Sequence, residues 1–306
     1  MPADVFGGDG GFLPRRDLLT FEEIVRLARL FVDLGVRKIR LTGGEPLVRR
    51  GLPELVAALS SIEPPPDLAI TTNGSLLASM ARPLRDAGLG RVTVSLDSLE
   101  PGVFRAMSGS DCPVGRVVDG IRAARAAGLE PVKVNMVVKR GTNEGSVLPM
   151  VRFARAEGVV LRLIEYMDVG TSNGWRPDDV VPAHELIATV DAVHALEPLR
   201  DPDPGAVAMR YRFRDGAGEM GVIAAVSRPF CGGCSRIRLT AGGQLFTCLF
   251  SETGLDLRAP LRAGATDGEL RGVVAAAWAA RGDRYSEARS SGTTGRRSVE
   301  MFRLGG

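Results

Sequence analysis

Three of the four cysteines in this chain fall in one short stretch, Cys231-Gly232-Gly233-Cys234 followed by Cys248. Two thiolates separated by two residues can grip one metal centre, because that loop length brings both sulfurs to the same point. The third arrives over an expected hairpin: Arg236 to Thr240 as a strand, Ala241-Gly242-Gly243 as a turn, Gln244 to Leu249 as the returning strand. Three cysteines leave a tetrahedral zinc, or one iron of a four-iron cluster, a ligand short. Catalytic metal sites keep such an open position and structural sites close it. The alternative is a structural zinc whose fourth ligand comes from Cys112, His184 or His194. Arg236 and Arg238 sit two apart on the same predicted strand, so both leave one face, beside the sulfurs. Guanidinium forks match phosphate oxygens, and the pair therefore suits an anionic ligand at an open metal site.

The remaining chemistry-bearing residues recur at strand ends. A repeat of short apolar strand, loop, Ala/Leu-rich helix and glycine predicts strands at 37–42, 67–72, 91–96, 131–139 and 159–165. Helices are expected near 52–60, 79–87, 114–127 and 146–157. Such alternation means a parallel sheet, open or closed into a barrel. In a barrel the chemistry collects at the C-terminal strand ends and points inward. Arg40 and Thr42, Thr71 and Asn73, Ser95 and Asp97, and Lys133 and Asn135 each occupy alternate positions, and together they predict one polar cavity. Arg162 on the fifth strand is off phase with Glu165. In the loop Thr42-Gly43-Gly44-Glu45-Pro46, two glycines let a ligand approach the backbone and a carboxylate can accept from an ammonium.

The 306 residues, 44% of them hydrophobic, suffice for one large α/β domain or two smaller ones. A net charge of +3 is too weak to argue for nucleic acid. No run approaches the ~18 apolar residues of a membrane span. The start is not a basic-then-apolar leader. Three clustered cysteines and one isolated one do not form a disulfide framework, so a reducing cytoplasm is expected.

A partial barrel is expected over 1–170 and a second, α+β unit over 171–306. Thr20 and Glu23 form a capping box for a first helix with an apolar stripe at Ile24, Leu27, Leu30, Phe31 and Leu34. Past Gly170 the expected elements are a helix at His184–Leu196, antiparallel strands at Ala206–Arg214 and Gly221–Ser227, and a helix from Glu269 to Ala280. Gly216-Ala217-Gly218-Glu219-Met220-Gly221 matches a dinucleotide fingerprint by letter, but it joins two strands and is a hairpin turn. The polar end from Thr293 to Gly306 is expected to need something else to order it.

Taken together, Gly43-Gly44-Glu45-Pro46, Thr71-Thr72-Asn73-Gly74, Ser95-Leu96-Asp97, Val132-Lys133-Val134-Asn135, Ile164-Glu165-Tyr166-Met167-Asp168-Val169-Gly170, the cysteine spacing and the Gly305-Gly306 end resemble the GTP 3′,8-cyclases of molybdenum cofactor biosynthesis. These are radical S-adenosylmethionine (SAM) enzymes. The resemblance runs the length of the chain. It implies an incomplete (β/α)6 TIM-like barrel with its first strand missing, plus a C-terminal cluster-binding region. It implies that Cys231, Cys234 and Cys248 bind a [4Fe-4S] cluster whose open iron takes the guanine of GTP. Arg40, Thr71, Lys133, Arg236 and Arg238 match positions that hold GTP, and Gly44, Ser95 and Met167 match SAM contacts. Arg162, Arg236 and Arg238 are expected to supply charge to the cyclising intermediate, and a homodimer is expected. In that family SAM yields a 5′-deoxyadenosyl radical that acts at ribose C3′, and C3′ then joins guanine C8.

One feature of the family is missing. Its other [4Fe-4S] cluster, which reduces SAM, sits on a Cys-x3-Cys-x2-Cys loop after the first strand. No such motif occurs in these residues. Met1-Pro2 resembles the two residues that follow that loop. The expectation is either a start at an internal methionine of a longer product or a truncation that leaves GTP affinity without radical chemistry. From another class, a non-catalytic nucleotide-binding scaffold with a structural zinc is the competing reading.

Overall fold

A computed structural model describes residues 13–170, 174–200, 205–288 and 299. The Gly305-Gly306 end lies outside the described residues.

The first helix, α1 (Phe21–Asp33), begins at the expected capping box. Thr20 Oγ1 accepts from the Glu23 amide at 3.2 Å, and Glu23 Oε2 accepts from the Thr20 amide at 2.8 Å. The repeat then runs β1 (Lys38–Leu41), α2 (Leu52–Ser60), β2 (Asp67–Thr72), α3 (Leu77–Asp86), β3 (Arg91–Ser95), α4 (Pro101–Ser108), α5 (Val114–Ala126), β4 (Lys133–Val138), α6 (Val147–Glu157) and β5 (Val160–Glu165). Helix α4 is an addition to the predicted repeat. Glu100 caps it, accepting from the Gly102 and Val103 amides, and Pro101 opens it.

The second half supplies α7 (Ala183–Asp191), β6 (Leu196–Leu199), β7 (Met209–Phe213), β8 (Glu219–Ile223), β9 (Arg238–Leu239), β10 (Gln244–Phe246), β11 (Leu255–Asp256), α8 (Arg258–Arg262), α9 (Asp267–Ala279) and α10 (Tyr285–Ala288). The helix expected to reach Leu196 stops at Asp191. Asp191 Oδ1 accepts from the Leu196 amide at 2.7 Å, and Leu196 opens an edge strand instead.

Strands β1 to β5 lie side by side in chain order, all parallel. The sheet does not stop at residue 170. Strand β8 pairs parallel with β5, and the β7–β8 hairpin then carries β7 and β6 outward in antiparallel fashion. This is an incomplete TIM-like barrel. Its buried face is apolar by alternation: Ile70, Val92, Val94, Val134, Met136, Leu161, Leu163, Met220 and Val222 pack under the helices. The opposite face carries Thr71, Thr93, Lys133, Asn135 and Arg162.

Beyond β8 the chain doubles back. Leu245, Leu257, Leu261, Leu270 and Val274 bury against Leu19, Leu27 and Leu30 at the start of the chain. Fully burying each such side chain is worth about 1.5–3 kcal/mol, enough to hold this part against α1. Ion pairs Arg262–Glu23 (2.7 Å) and Arg26–Asp267 (2.7 Å) flank the contact. No helix among the described residues is long and apolar enough to cross a membrane.

Candidate active site

Register builds the polar face. Thr71 pairs with Thr93, Thr93 with Lys133, and Asn135 with Arg162, so these side chains form neighbouring rows. Arg40 Nη1 donates to Thr71 Oγ1 at 2.8 Å and to Thr93 Oγ1 at 3.1 Å. Arg162 Nε donates to Asn135 Oδ1 at 2.8 Å, and its Nη2 to Thr93 Oγ1 at 3.3 Å. Thr93, missing from the expected site, is therefore the hydroxyl that both guanidiniums share. Its parity with Ser95 was the available signal. Lys133 opens β4 rather than ending it; the stagger between strands brings it level with the middle of β3.

Among the described residues no carboxylate pairs with Arg40, Lys133 or Arg162. Burial pulls Lys133 down to about 8, with Arg162, Lys38, Arg91 and Arg40 adding repulsion. Burial likewise lowers Arg162 to about 10, and Arg40 and Arg91 lower it further. Arg40 is lowered by burial and by Arg91. Gathering like charges on a half-buried face is costly, and a bound anion would relieve that cost. Gly221 makes room for one of them: a Cβ there would lie 3.4 Å from Arg162 Cγ and 3.2 Å from the Ala208 Cβ.

The phase difference between Arg162 and Glu165 has a simple cause. Arg162 faces the cavity, whereas Glu165 faces the helix layer and is fully buried. Its carboxylate accepts from the Ala183 amide at 2.7 Å, the Val226 amide at 2.7 Å, the Ser227 amide at 2.8 Å and the Ser227 hydroxyl. It thus fixes the start of α7 and the turn that leads to the cysteine stretch.

At the C-terminal strand ends, Gly43 has φ +142°, and a Cβ on Gly43 or Gly44 would meet nothing within 4 Å. The backbone there is open to a ligand. Glu45, read as able to accept from an ammonium, already accepts three bonds within the chain and keeps acceptor capacity for a fourth. It accepts from Thr72 Oγ1 and the Asn73 amide, both at 2.7 Å, and from the Leu47 amide at 3.0 Å. Ser95 is exposed at the end of β3. Two residues on, burial pushes Asp97 up to about 6, against the pull of a 2.8 Å bond from the Val137 amide. Met167 packs on a small apolar patch of Ile164, Ile223, Ala225 and Phe230. That patch adjoins the cysteine stretch, because Phe230 precedes Cys231 and lies under the Arg236 guanidinium at 5.0 Å.

The hairpin expected between the cysteines forms, with Leu245 opposite Leu239 and Phe246 opposite Arg238. All three cysteines are free thiols, each partly buried. Arg236 donates to Cys234 Sγ from Nε at 3.3 Å and from Nη2 at 3.0 Å. Burial alone would raise the Cys234 thiol, but the Arg236 amide and guanidinium outweigh it and hold it below the usual value. Burial raises Cys248, opposed by the Phe250 amide. Burial lowers Arg238, while the nearby Cys248 and Cys234 work in the other direction. Cys248 also feels Cys231. The three thiols thus share one neighbourhood, and soft thiol donors suit an iron–sulfur cluster. As placed, no group of three His, Cys, Asp or Glu side chains among the described residues could hold a metal ion. Cys112 turns onto the Pro113 carbonyl at 3.7 Å, and His194 lies edge-on to Phe213 at 6.1 Å.

Parallel strands thus carry a polar, cation-lined face below an open glycine loop. Residues 6–154 match the model of the Radical SAM superfamily, and residues 159–287 match that of Molybdenum Cofactor Synthesis C. The fold resembles that of Streptococcus suis SuiB, solved with S-adenosylmethionine bound: TM-score 0.56 at 14% identity, over 83% of this chain and 61% of that one. A curated GTP 3′,8-cyclase of Acidothermus cellulolyticus is 53% identical over 301 residues, covering 97% of this chain and 83% of that protein. Those of Xanthomonas axonopodis pv. citri and Staphylococcus haemolyticus are 50% and 40% identical, each over 100% of this chain and 91% of theirs. The chain belongs to the GTP 3′,8-cyclase family of radical SAM lyases.

Proposed function

We propose that this chain binds GTP across the polar face and cyclises it between ribose C3′ and guanine C8, the first step toward molybdenum cofactor. The observation that carries this reading is the trio Arg40, Lys133 and Arg162, half-buried cations with no carboxylate partner among the described residues. A triphosphate supplies the missing negative charge, and the Thr71 and Thr93 hydroxyls already fix the Arg40 fork that would meet it. Arg236 and Arg238 approach the same ligand from the cysteine side. Arg162, held by Asn135 and Thr93, faces the cavity where charge develops during cyclisation.

Cys231, Cys234 and Cys248 would hold a [4Fe-4S] cluster, and the backbone at Gly44 with Ser95 and Met167 would hold SAM. When bound, the cluster would supply an open iron for the guanine, and SAM would supply a radical for C3′ only with an electron from the family's second cluster, whose cysteine motif is not among these residues. The chain's own contribution is orientation: cations would fix the phosphate tail, and the apolar patch at Ile164, Ile223 and Phe230 borders the cysteine stretch. The Cys-x3-Cys-x2-Cys motif is not among these residues, so GTP and cluster binding are the properties to test in them. Function in the cytoplasm as a homodimer completes the reading; sedimentation of the purified chain tests the dimer.

Anaerobic reconstitution with iron and sulfide, followed by iron counting, tests the cysteine assignment. About four irons per chain, lost in Cys234→Ser, are expected. Zinc held tightly with no iron uptake would instead support a zinc-stabilised scaffold and sink the cluster.

A further inference from the structure

Residues 281–287 follow α9 and lie across the cysteine stretch. Arg281 Nη1 donates to the Cys234 carbonyl. The Thr247 hydroxyl, one residue before Cys248, donates to Asp283 Oδ2. The Gly232 amide, one residue after Cys231, donates to Glu287 Oε1 at 3.2 Å. One segment therefore holds the backbone or the neighbour of each of the three cysteines. The anchors are linked to one another: Arg281 Nε lies 3.9 Å from Asp283 Oδ2, and Arg284 pairs with Glu287. Tyr285 adds a fourth connection. Its ring stacks on Phe250 at 4.5 Å, and its hydroxyl donates to Asp168 Oδ2 at 2.7 Å, one residue past Met167.

Ordinary core packing does not explain this segment, because α10 contains no buried residue. Directed polar bonds join it to the neighbourhood of the cysteines and, through Tyr285, to Asp168 beyond β5, beside the Tyr285–Phe250 stack. We propose that residues 281–287 form a brace that keeps the chain around Cys231, Cys234 and Cys248 in one neighbourhood before iron arrives, which cluster binding then tightens, and that Tyr285 ties this brace to the strand end beside Met167. Arg281, Asp283, Tyr285 and Glu287 are positioning residues. The inference rests on the reading of the three cysteines as cluster ligands.

The test compares Thr247→Val, which removes the hydroxyl at constant shape, with Thr247→Ser, which keeps it, and with Asp283→Asn. Each full-length chain is reconstituted anaerobically with iron and sulfide while cluster absorbance and final iron content are followed. Amide hydrogen exchange at 231–234 is measured on the metal-free proteins. Thr247→Val and Asp283→Asn should assemble the cluster about tenfold more slowly, as loss of a charge-assisted bond implies, and exchange at Gly232, which Glu287 of the same segment holds, should rise as the brace loosens. Thr247→Ser should restore both. Wild-type loading matched in rate by Thr247→Val, with unchanged exchange, would overturn the brace and leave the ligand reading intact. A wild-type chain that takes up no iron would overturn the ligand reading, and the brace's purpose with it.

Discussion

Lys133 offers the sharpest test of the cavity. Its ammonium sits among Arg162, Lys38, Arg91 and Arg40, and burial pulls it from the ordinary 10.5 to about 8. That difference is nominally ~3 kcal/mol against the charged form at neutral pH. Solvent reaches the side chain and screens part of this, so about 1–2 kcal/mol is the expected cost to the free protein. Lys133→Met keeps the stem and deletes the charge. It should therefore stabilise the free chain by about 1–2 kcal/mol at pH 7 while weakening GTP binding about 10- to 100-fold, the worth of one charge-assisted hydrogen bond. The pH dependence has a defined sign. In wild type the cost is full below pH 8, where folded and unfolded chains both carry the proton. It fades as pH rises toward 10.5, where neither does. The stability advantage of the variant should therefore shrink across that window. Urea melts between pH 7 and 10.5, with GTP calorimetry at pH 7, supply the numbers. A variant that is less stable than wild type at pH 7, or that binds GTP as tightly, would refute the reasoning.

Three further outcomes are expected. Glu165→Gln should cost about 2–3 kcal/mol in a urea melt, because an amide cannot accept from all four donors that the buried carboxylate satisfies; a loss under 0.5 kcal/mol would contradict the hub. Asp97, raised from 3.8 to about 6 by burial, contributes stability that is complete below pH 3.8 and lost as pH rises through 6. Asp97→Asn should thus gain about 3 kcal/mol over wild type at pH 8 and show no gain below pH 3.8, by differential melting. Gly221→Ala places a methyl against the Arg162 stem and Ala208, so calorimetry should show several-fold weaker GTP binding with a stability loss of about 1 kcal/mol.

Much of this arrangement was legible in the alternation of polar residues. Period two, taken with strand-end position in a barrel, puts Arg40, Thr71, Lys133 and Asn135 on one face, because a sheet offers each strand only two, although Lys133 opens its strand. Thr93 escaped notice, since a threonine between Val92 and Val94 reads as an ordinary strand former. Arg162 was off phase only while Glu165 was assumed to face the cavity; a carboxylate buried among amides looks the same in one dimension as one aimed at a ligand. Glu45 illustrates the same limit, as its partners at Thr72 and Asn73 lie on a neighbouring strand. Strand β8 was read as part of a local hairpin, and its parallel pairing with β5 depends on a return that no local pattern encodes. Arg281, Asp283 and Glu287 meet the cysteines across some 35 to 55 residues of chain, and nothing in their own segment announces it.

The central claim is that desolvated cations on the barrel face hold the phosphate tail of GTP. Calorimetry of the purified chain with GTP and with guanosine tests it most directly. The account predicts GTP bound at least about 100-fold more tightly than guanosine, with the gap collapsing when Arg40, Lys133 and Arg162 are all replaced by methionine. Equal binding of the two ligands, or a gap that survives the triple replacement, would contradict it.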